Sequence, residues 1–173
     1  WVVPGDLRIT APDAPPLITL AAARSLDYLL HPDLPVLIPD AGFYEATNAA
    51  GKLGAQEIIA WYRAHPNAVH VEPTEAFQDA TALATMRGGR MAKDLRERAA
   101  VEVVRTYPLS EHERALLLSD DRDAERLVVI DPGKLILLTT WDYLRQLEAA
   151  RRIQSADAVI EAVRRAGPNP PPR

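Results

Sequence analysis

Acidic side chains follow several apolar runs of this sequence, in the places where a parallel sheet collects its ligands. Asp13 comes just after one such run, and the adjacent Asp120 and Asp121 come directly after another. Glu45 lies on the helical stretch that follows a third run, and Glu97 begins the helical stretch that leads to the strand before Asp120. Ligands of open parallel sheets bind beyond the carboxyl ends of the strands. We therefore expect these carboxylates, which are distant in sequence, to meet at one edge of the fold.

A cluster of carboxylates predicts a hard divalent cation. Carboxylates held close together repel one another and burial raises the cost of their charge, so protons or a cation must neutralise them. Mg²⁺ and Mn²⁺ prefer oxygen ligands. Such a cation lowers the pKa of a bound water and neutralises the charge that develops on a phosphoryl oxygen. The acidic residues thus indicate hydrolysis of a phosphodiester.

Other kinds of site have little support in the sequence. The chain has no cysteine, which excludes disulfides, thiolate metal sites and thiol nucleophiles. Its four histidines show no metal-ligand spacing. There is no Gly-x-Ser-x-Gly setting for a serine nucleophile and no glycine-rich loop of the nucleotide-binding kinds. A serine hydrolase and a nucleotide-binding enzyme are therefore not indicated.

The elements that must position these carboxylates alternate between short apolar strands and helices. The predicted strands are Leu7–Ala11, Val36–Ile38, Val69–Val71, Ala115–Leu118 and Leu135–Leu138. The predicted helices are Leu17–Leu30, one capped by Asp40, Ala55–Ala64, one opened by Thr74, Asp94–Tyr107, Trp141–Arg152 after a Thr140 cap, and one from a Ser155 cap to Ala166. Short strands that are apolar on both faces predict a parallel sheet covered on two sides. The predicted fold class is α/β, a single-domain parallel sheet flanked by helices in three α/β/α layers.

Length and composition fit one globular domain. The chain has 173 residues, of which 47% are hydrophobic, and its formal net charge is −4. We expect the domain to cover residues 1–166 and a proline-rich mobile tail to cover 167–173. No run approaches the roughly 20 apolar residues of a membrane helix, so no membrane association is predicted. The lack of a secretory leader and of cysteine predicts a cytoplasmic protein.

One basic stretch stands out in this acidic chain. Residues 87–98 carry five basic and two acidic side chains around Gly88 and Gly89. This pattern predicts that Arg87, Arg90, Lys93 and Arg96 contact RNA phosphates, although a solvated loop would also explain it. Only 6% of the residues are aromatic, so base stacking by a series of rings is not indicated.

The acidic motifs, in their order and spacing, resemble those of PIN domains, the nuclease fold of VapC-type toxins in bacterial toxin–antitoxin pairs. The resemblance spans about Leu7 to Ala166, and its motifs lie in Asp13–Leu20, Ile38–Glu45, Glu97–Ala100 and Leu118–Ala124. It implies a Mg²⁺- or Mn²⁺-dependent endoribonuclease that is the toxin of such a pair.

The same resemblance implies the catalytic and metal-binding residues. They are Asp13, Glu45, Glu97 and Asp121, with Asp120 as a reserve metal ligand. Asp121 is preferred because the family pattern of a hydroxyl residue, any residue and an aspartate matches residues 119–121. The implied partners are an RNA substrate, an antitoxin protein and a second copy of the chain in a homodimer.

One departure from the family pattern supports an alternative function. The family usually has serine or threonine after its first aspartate, whereas Ala14 and Pro15 follow Asp13 here. The alternative is a catalytically impaired PIN scaffold that acts as a protein- or RNA-binding module.

Each acidic residue also has an ordinary structural explanation. Asp13 is a possible helix cap, Glu45 a possible surface residue and Glu97 a possible surface ion-pair partner. Asp120 and Asp121 are suited to a turn and a helix cap. The distinction depends on whether the carboxylates of different elements face one another.

Overall fold

A five-stranded, all-parallel sheet forms the centre of the molecule. The structure is a computed structural model, which describes residues 5–87, 94–121, 124 and 133–167. The strands are β1 (Leu7–Pro12), β2 (Val36–Pro39), β3 (Val69–Glu72), β4 (Arg114–Leu118) and β5 (Leu135–Leu138). Their order across the sheet is β3-β2-β1-β4-β5. This order places β1 and β4, the strands that precede Asp13 and Asp120, side by side.

Helices cover both faces of the sheet. The helices are α1 (Ala14–Ala22), α2 (Asp40–Thr47), α3 (Ala55–Ala64), α4 (Glu75–Arg87), α5 (Leu95–Thr106), α6 (Thr140–Ala149) and α7 (Ala156–Ala166), with a 3₁₀ helix at Leu26–Leu30. On β4, Leu116 and Leu118 pack into the core formed with α1, α3, α6 and α7, whereas Ala115 and Leu117 pack against α5. All four side chains are buried. The predicted three-layer α/β/α fold is therefore confirmed.

Two predicted helices end earlier than their sequence suggests. α1 stops at Ala22, and a separate 3₁₀ helix follows, so the prediction of one helix over Leu17–Leu30 is wrong. The N–H groups of Arg24 and Ser25 turn back to the carbonyls of Ala21 and Leu20, and Arg24 has a φ of 54°. This pattern is a Schellman motif, in which the left-handed position is usually glycine.

The helix α6 ends in the same way. It stops at Ala149 instead of the predicted Arg152, and Arg151 has a φ of 58° while Arg152 N–H bonds to the Leu147 carbonyl. Its N-cap is Thr139 rather than the predicted Thr140. Because arginine takes the place of glycine at both helix ends, no local stop signal marks them in the sequence.

The other predicted elements have the expected positions. The bounds of α3, β5 and α7 agree with the prediction, and the remaining strands and helices differ by a few residues at their ends. Gly167, with a φ of 98°, follows α7, whereas residues 168–173 of the predicted tail lie outside the described residues. In the described ranges, no helix has the length and apolar character needed to cross a membrane.

Gly54 is a position where a side chain does not fit. Its φ is 78°, and a Cβ built on it would lie 2.6 Å from the Cβ of Ala21. We expect Gly54→Ala to lower the free energy of unfolding by about 2 kcal/mol or more, because it adds both backbone strain and overpacking. Urea unfolding followed by circular dichroism measures this loss. Gly51→Ala is the control, since a Cβ there meets no atom within 4 Å; equal losses in both variants would contradict the explanation.

Candidate active site

Asp13 lies at the junction of β1 and α1 with one carboxylate oxygen turned away from the helix. It is the N-cap of α1, and its Oδ1 accepts a hydrogen bond of 2.7 Å from the Ala14 N–H. The next two residues, Pro15 and Pro16, have no N–H, so the helix offers no further donor from the positions that usually bond to a capping side chain. Capping and a site role therefore coexist, because Oδ2 faces the edge of the sheet.

Burial makes the charge of Asp13 costly. The side chain is buried, and desolvation raises its pKa to about 6, although Arg96 and the Ala14 N–H oppose this effect. The charges of Glu45 and Glu97 raise this pKa further. The surroundings of Asp13 thus penalise its charged form, and added positive charge there would stabilise the carboxylate.

Parallel pairing brings Asp121 to the same edge as Asp13. The ends of β1 and β4 are in register at Pro12 and Leu118, and the Asp13 N–H donates to the Leu118 carbonyl at 2.9 Å. Asp121 follows three residues after that strand end. The predicted convergence of these two distant carboxylates at the carboxyl edge is present.

Glu45 reaches the same region from α2. The N-cap of this helix is Pro39 rather than the predicted Asp40. Asp40 is its first residue, and its carboxylate accepts hydrogen bonds from the Ala41 N–H and from the Thr74 N–H and hydroxyl. On the same helix, Gly42 lies next to Asp13, since a Cβ built on it would be in ordinary contact with Asp13 Oδ1 at 3.5 Å. The side chain of Glu45 is 45% exposed. Glu45 therefore forms the solvent side of the acidic group.

Arg96 lies between three carboxylates. Its Nε is 3.0 Å from Glu45 Oε2, its Nη1 is 3.3 Å from Asp13 Oδ2, and its Nη2 is 3.4 Å from Asp121 Oδ2. Desolvation lowers the pKa of Arg96, but the charges of Asp13, Glu45, Glu97 and Asp121 outweigh it and raise the pKa. We call these five residues the acidic site, with Arg96 as its internal cation.

Glu97 adds a fourth carboxylate to the acidic site. Its charge raises the pKa values of both Asp13 and Arg96. Its Oε2 is buried and has no hydrogen-bond partner among the described residues. A buried carboxylate oxygen without a partner is costly, so this atom points to a missing positive or hydrogen-bonding group.

Asp120 has a different environment from its neighbour Asp121. Its two carboxylate oxygens accept hydrogen bonds from the N–H and the hydroxyl of Thr140, at 2.7 and 2.8 Å. Burial raises the pKa of Asp120, and its bonds to Thr140 oppose that rise. Asp120 therefore holds the start of α6, whereas Asp121 contacts Arg96.

The residues predicted to contact RNA are only partly described. Arg90 and Lys93 lie outside the described residues, and Arg87 is the last residue of α4 with an undescribed side chain. The guanidinium of Arg96 lies among the carboxylates rather than on an open phosphate-binding surface. For Arg96, this placement differs from the prediction.

Sequence reasoning missed the part played by Ser119. This buried residue donates its hydroxyl to Asp13 Oδ2 at 3.4 Å and accepts the Asp121 N–H at 3.3 Å. Ser119 thus supplies, from the end of β4, a hydroxyl close to Asp13 that Ala14 lacks. The available signal was the pattern of a hydroxyl residue two positions before Asp121.

The donor set of the acidic site suits a hard cation, but its present arrangement suits a guanidinium. All its ligand atoms are carboxylate oxygens, which Mg²⁺ and Mn²⁺ prefer. Within residues 5–87, 94–121, 124 and 133–167, no three histidine, aspartate or glutamate side chains are grouped so as to hold a metal ion together. The carboxylates instead surround Arg96.

Comparisons with family models, curated proteins and solved structures gave no significant match to this chain.

Proposed function

We propose that this protein is a Mg²⁺- or Mn²⁺-dependent endoribonuclease. The observation that carries the proposal is the approach of Asp13, Glu45 and Asp121, from three separate elements, to within 3.4 Å of one guanidinium. These side chains are distant in sequence and meet at a partly exposed edge of the sheet. Their charges create a site that favours added positive charge.

Asp13, Glu45, Glu97 and Asp121 are the residues that would hold the cation. Carboxylate oxygens and the orphaned Glu97 Oε2 fit such a group chemically. A bound Mg²⁺ or Mn²⁺ supplies a water of lowered pKa and neutralises charge on a phosphoryl oxygen. The proposed reaction is hydrolysis of RNA phosphodiester bonds.

The remaining residues of the site orient these carboxylates. Ser119 donates to Asp13 Oδ2 while the Ala14 N–H holds Oδ1, so Asp13 is fixed at both oxygens. With a pKa of about 6, Asp13 is mostly a carboxylate near pH 7, whereas below about pH 6 it must lose a proton before it acts as an anionic ligand. Hydrogen bonds of this kind around a ligand typically change metal affinity or activity by about 10–100-fold.

The biological setting follows only from the resemblance to PIN domains. The motif order supports a toxin of a toxin–antitoxin pair, which cleaves RNA in the cytoplasm and binds an antitoxin protein. A homodimer belongs to the same proposal.

A second candidate function is a non-catalytic PIN scaffold that binds protein or RNA. The position of Arg96 favours it, because a guanidinium partly neutralises the carboxylates without any metal. The absence of a hydroxyl at Ala14 also favours it, whereas the Ser119 hydroxyl beside Asp13 favours the nuclease. The two candidates differ in whether RNA is cleaved when a divalent cation is supplied.

The adjacent residues Asp121 and Asp120 provide a test variant and its control for the proposed nuclease. Labelled single-stranded RNA is incubated with the protein in Mn²⁺ or Mg²⁺, with EDTA as the metal-free control. We expect cleavage only when metal is present. We expect Asp121→Asn to reduce the cleavage rate at least about 100-fold, which is more than the loss of a group that only orients a ligand would cause.

Asp120→Asn controls for the loss of a carboxylate at this strand end. Its partner Thr140 lies at the start of α6, so we expect cleavage to be retained. No cleavage by the folded wild-type protein with either metal would favour the scaffold. Equal loss in both variants would remove the assignment of Asp121.

A further inference from the structure

The guanidinium of Arg96 contacts carboxylates of the acidic site through all three of its nitrogens. Its three nitrogens face three different carboxylates, those of Asp13, Glu45 and Asp121. Charge-assisted N–H···O bonds are typically about 2.7–2.9 Å long, whereas the three distances here are 3.0, 3.3 and 3.4 Å. One group therefore bridges three partners without an ideal bond to any of them.

This position is the one that a divalent cation would need. Ligand oxygens of Mg²⁺ lie about 2.0–2.1 Å from the metal, so they must come closer together than oxygens spread around a guanidinium. Two cations between the same carboxylates would also repel each other. Arg96 and a divalent cation consequently cannot share the acidic site in this arrangement.

We propose that Arg96 is a tethered counterion that must withdraw before a divalent cation can bind. The inference rests on the metal site of the proposed nuclease and adds its regulation. Arg96 holds the carboxylates together in the metal-free protein and lowers the affinity of the site for metal. The protein is then active only where the free cation concentration overcomes this internal competitor.

Arg96 lies near solvent at the start of a helix. It is the second residue of α5, and Asp94 before the helix makes no side-chain capping bond. The Arg96 side chain is 20% exposed, and its partners Glu45 and Asp121 are 45% and 33% exposed. A long side chain at a helix start, with solvent on one side, can turn outwards without unpacking the core.

Calorimetric titration of the whole chain with Mn²⁺ tests the competition. We expect Arg96→Gln to bind Mn²⁺ at least about tenfold more tightly than the wild type, since the competing cation is gone. Arg98→Gln is the matched control, because it removes the same charge from an exposed position two residues along α5. Arg98→Gln should change the Kd for Mn²⁺ less than about threefold. A larger effect of Arg96→Gln would then come from the place that Arg96 occupies in the site and not from the loss of a positive charge in general.

A second measurement uses the wild-type protein and does not depend on the folding of a variant. The Nε–H resonance of Arg96 is followed by nuclear magnetic resonance during titration with diamagnetic Mg²⁺. We expect this resonance to shift with the midpoint of Mg²⁺ binding measured by calorimetry, because the Nε contact with Glu45 is lost.

The outcomes distinguish this inference from the function on which it rests. Equal Mn²⁺ affinity in the wild type and Arg96→Gln, or an Arg96 resonance that does not move on Mg²⁺ binding, would overturn the counterion role alone. Absence of Mn²⁺ and Mg²⁺ binding in both proteins would overturn the metal site itself. Arg96→Lys keeps the charge but cannot face three carboxylates, and an affinity between those of wild type and Arg96→Gln would support the inference.

Discussion

Asp13→Asn is expected to abolish metal-dependent RNA cleavage and, at the same time, to stabilise the fold above about pH 6. The loss of activity should exceed about 1,000-fold, because the variant removes a buried anionic ligand of the proposed cation. The gain in stability has a separate cause. The introduced amide keeps an acceptor for the Ala14 N–H, but it carries no charge that must be desolvated.

The pH dependence follows from the raised pKa of Asp13. In the folded protein this pKa is about 6, against an ordinary value of 3.8, mainly because of burial. The folded state therefore holds the proton more tightly than the unfolded state. The corresponding stability is fully present below about pH 4 and is lost as the pH rises through about 6.

Asp13→Asn and the wild type should thus have similar stability near pH 4, and the variant should be more stable by up to about 3 kcal/mol above pH 7. Urea unfolding at a series of pH values, without divalent cations, measures the difference. The control is Asp33→Asn, whose side chain is 76% exposed in an ion pair with Arg152 and whose φ of 58° suits asparagine. A pH-independent difference for Asp13→Asn would contradict a buried charge at this position.

The presence of a parallel sheet could be predicted because each strand is recognisable from a short local stretch of sequence. Apolar runs such as Leu116–Leu118 are short, bounded and buried on both faces, which identifies a parallel sheet before its strand order is known. The acidic residues are then expected at the carboxyl edge of the sheet, because ligands of parallel sheets bind beyond the carboxyl ends of the strands. Asp13, Asp121 and Glu45 meet for this reason.

Part of the acidic site depends on tertiary contacts that no local pattern encodes. The resemblance favours Asp121 over Asp120, but only the fold shows that Asp120 bonds to Thr140 while Asp121 contacts Arg96. The sequence also places Arg96 in a basic stretch, which suggests a solvated or RNA-binding role. Its observed position depends on α5 packing beside α2, so that the side chain lies between Glu45 of α2 and the carboxylates that follow β1 and β4.

The C-terminal ends of α1 and α6 also could not be predicted from the local sequence. Arg24 and Arg151 adopt the left-handed conformation at the ends of α1 and α6, a position that usually requires glycine. Folding of the following segments against the core compensates the strain, which costs about 1–2 kcal/mol per residue. Local propensity therefore predicts longer helices than the protein has.

Mn²⁺ is expected to raise the melting temperature of the wild-type protein more than ionic strength alone does. A ligand that binds only the folded state at a thousandfold excess over its Kd stabilises it by about 4 kcal/mol, which corresponds to about 8–16 °C for a domain of this size. Differential scanning calorimetry with MnCl₂, with NaCl of matched ionic strength and with added EDTA measures the effect. Asp13→Asn should lose most of the shift, while Asp33→Asn should keep it.

The same shift should depend on pH in a way that identifies Asp13 as a ligand. Metal binding requires the carboxylate, so each pH unit below the Asp13 pKa of about 6 should reduce the binding free energy by up to about 1.4 kcal/mol. The shift at about pH 5 should therefore be clearly smaller than at about pH 7. Exposed carboxylates with ordinary pKa values would bind Mn²⁺ almost equally at both pH values. A melting-temperature shift that is the same at both and survives in Asp13→Asn would mean that the cation binds elsewhere. A shift that becomes smaller as the pH is lowered and disappears in Asp13→Asn identifies Asp13 as a ligand, because burial, together with the charges of Glu45 and Glu97, brings its titration into this range.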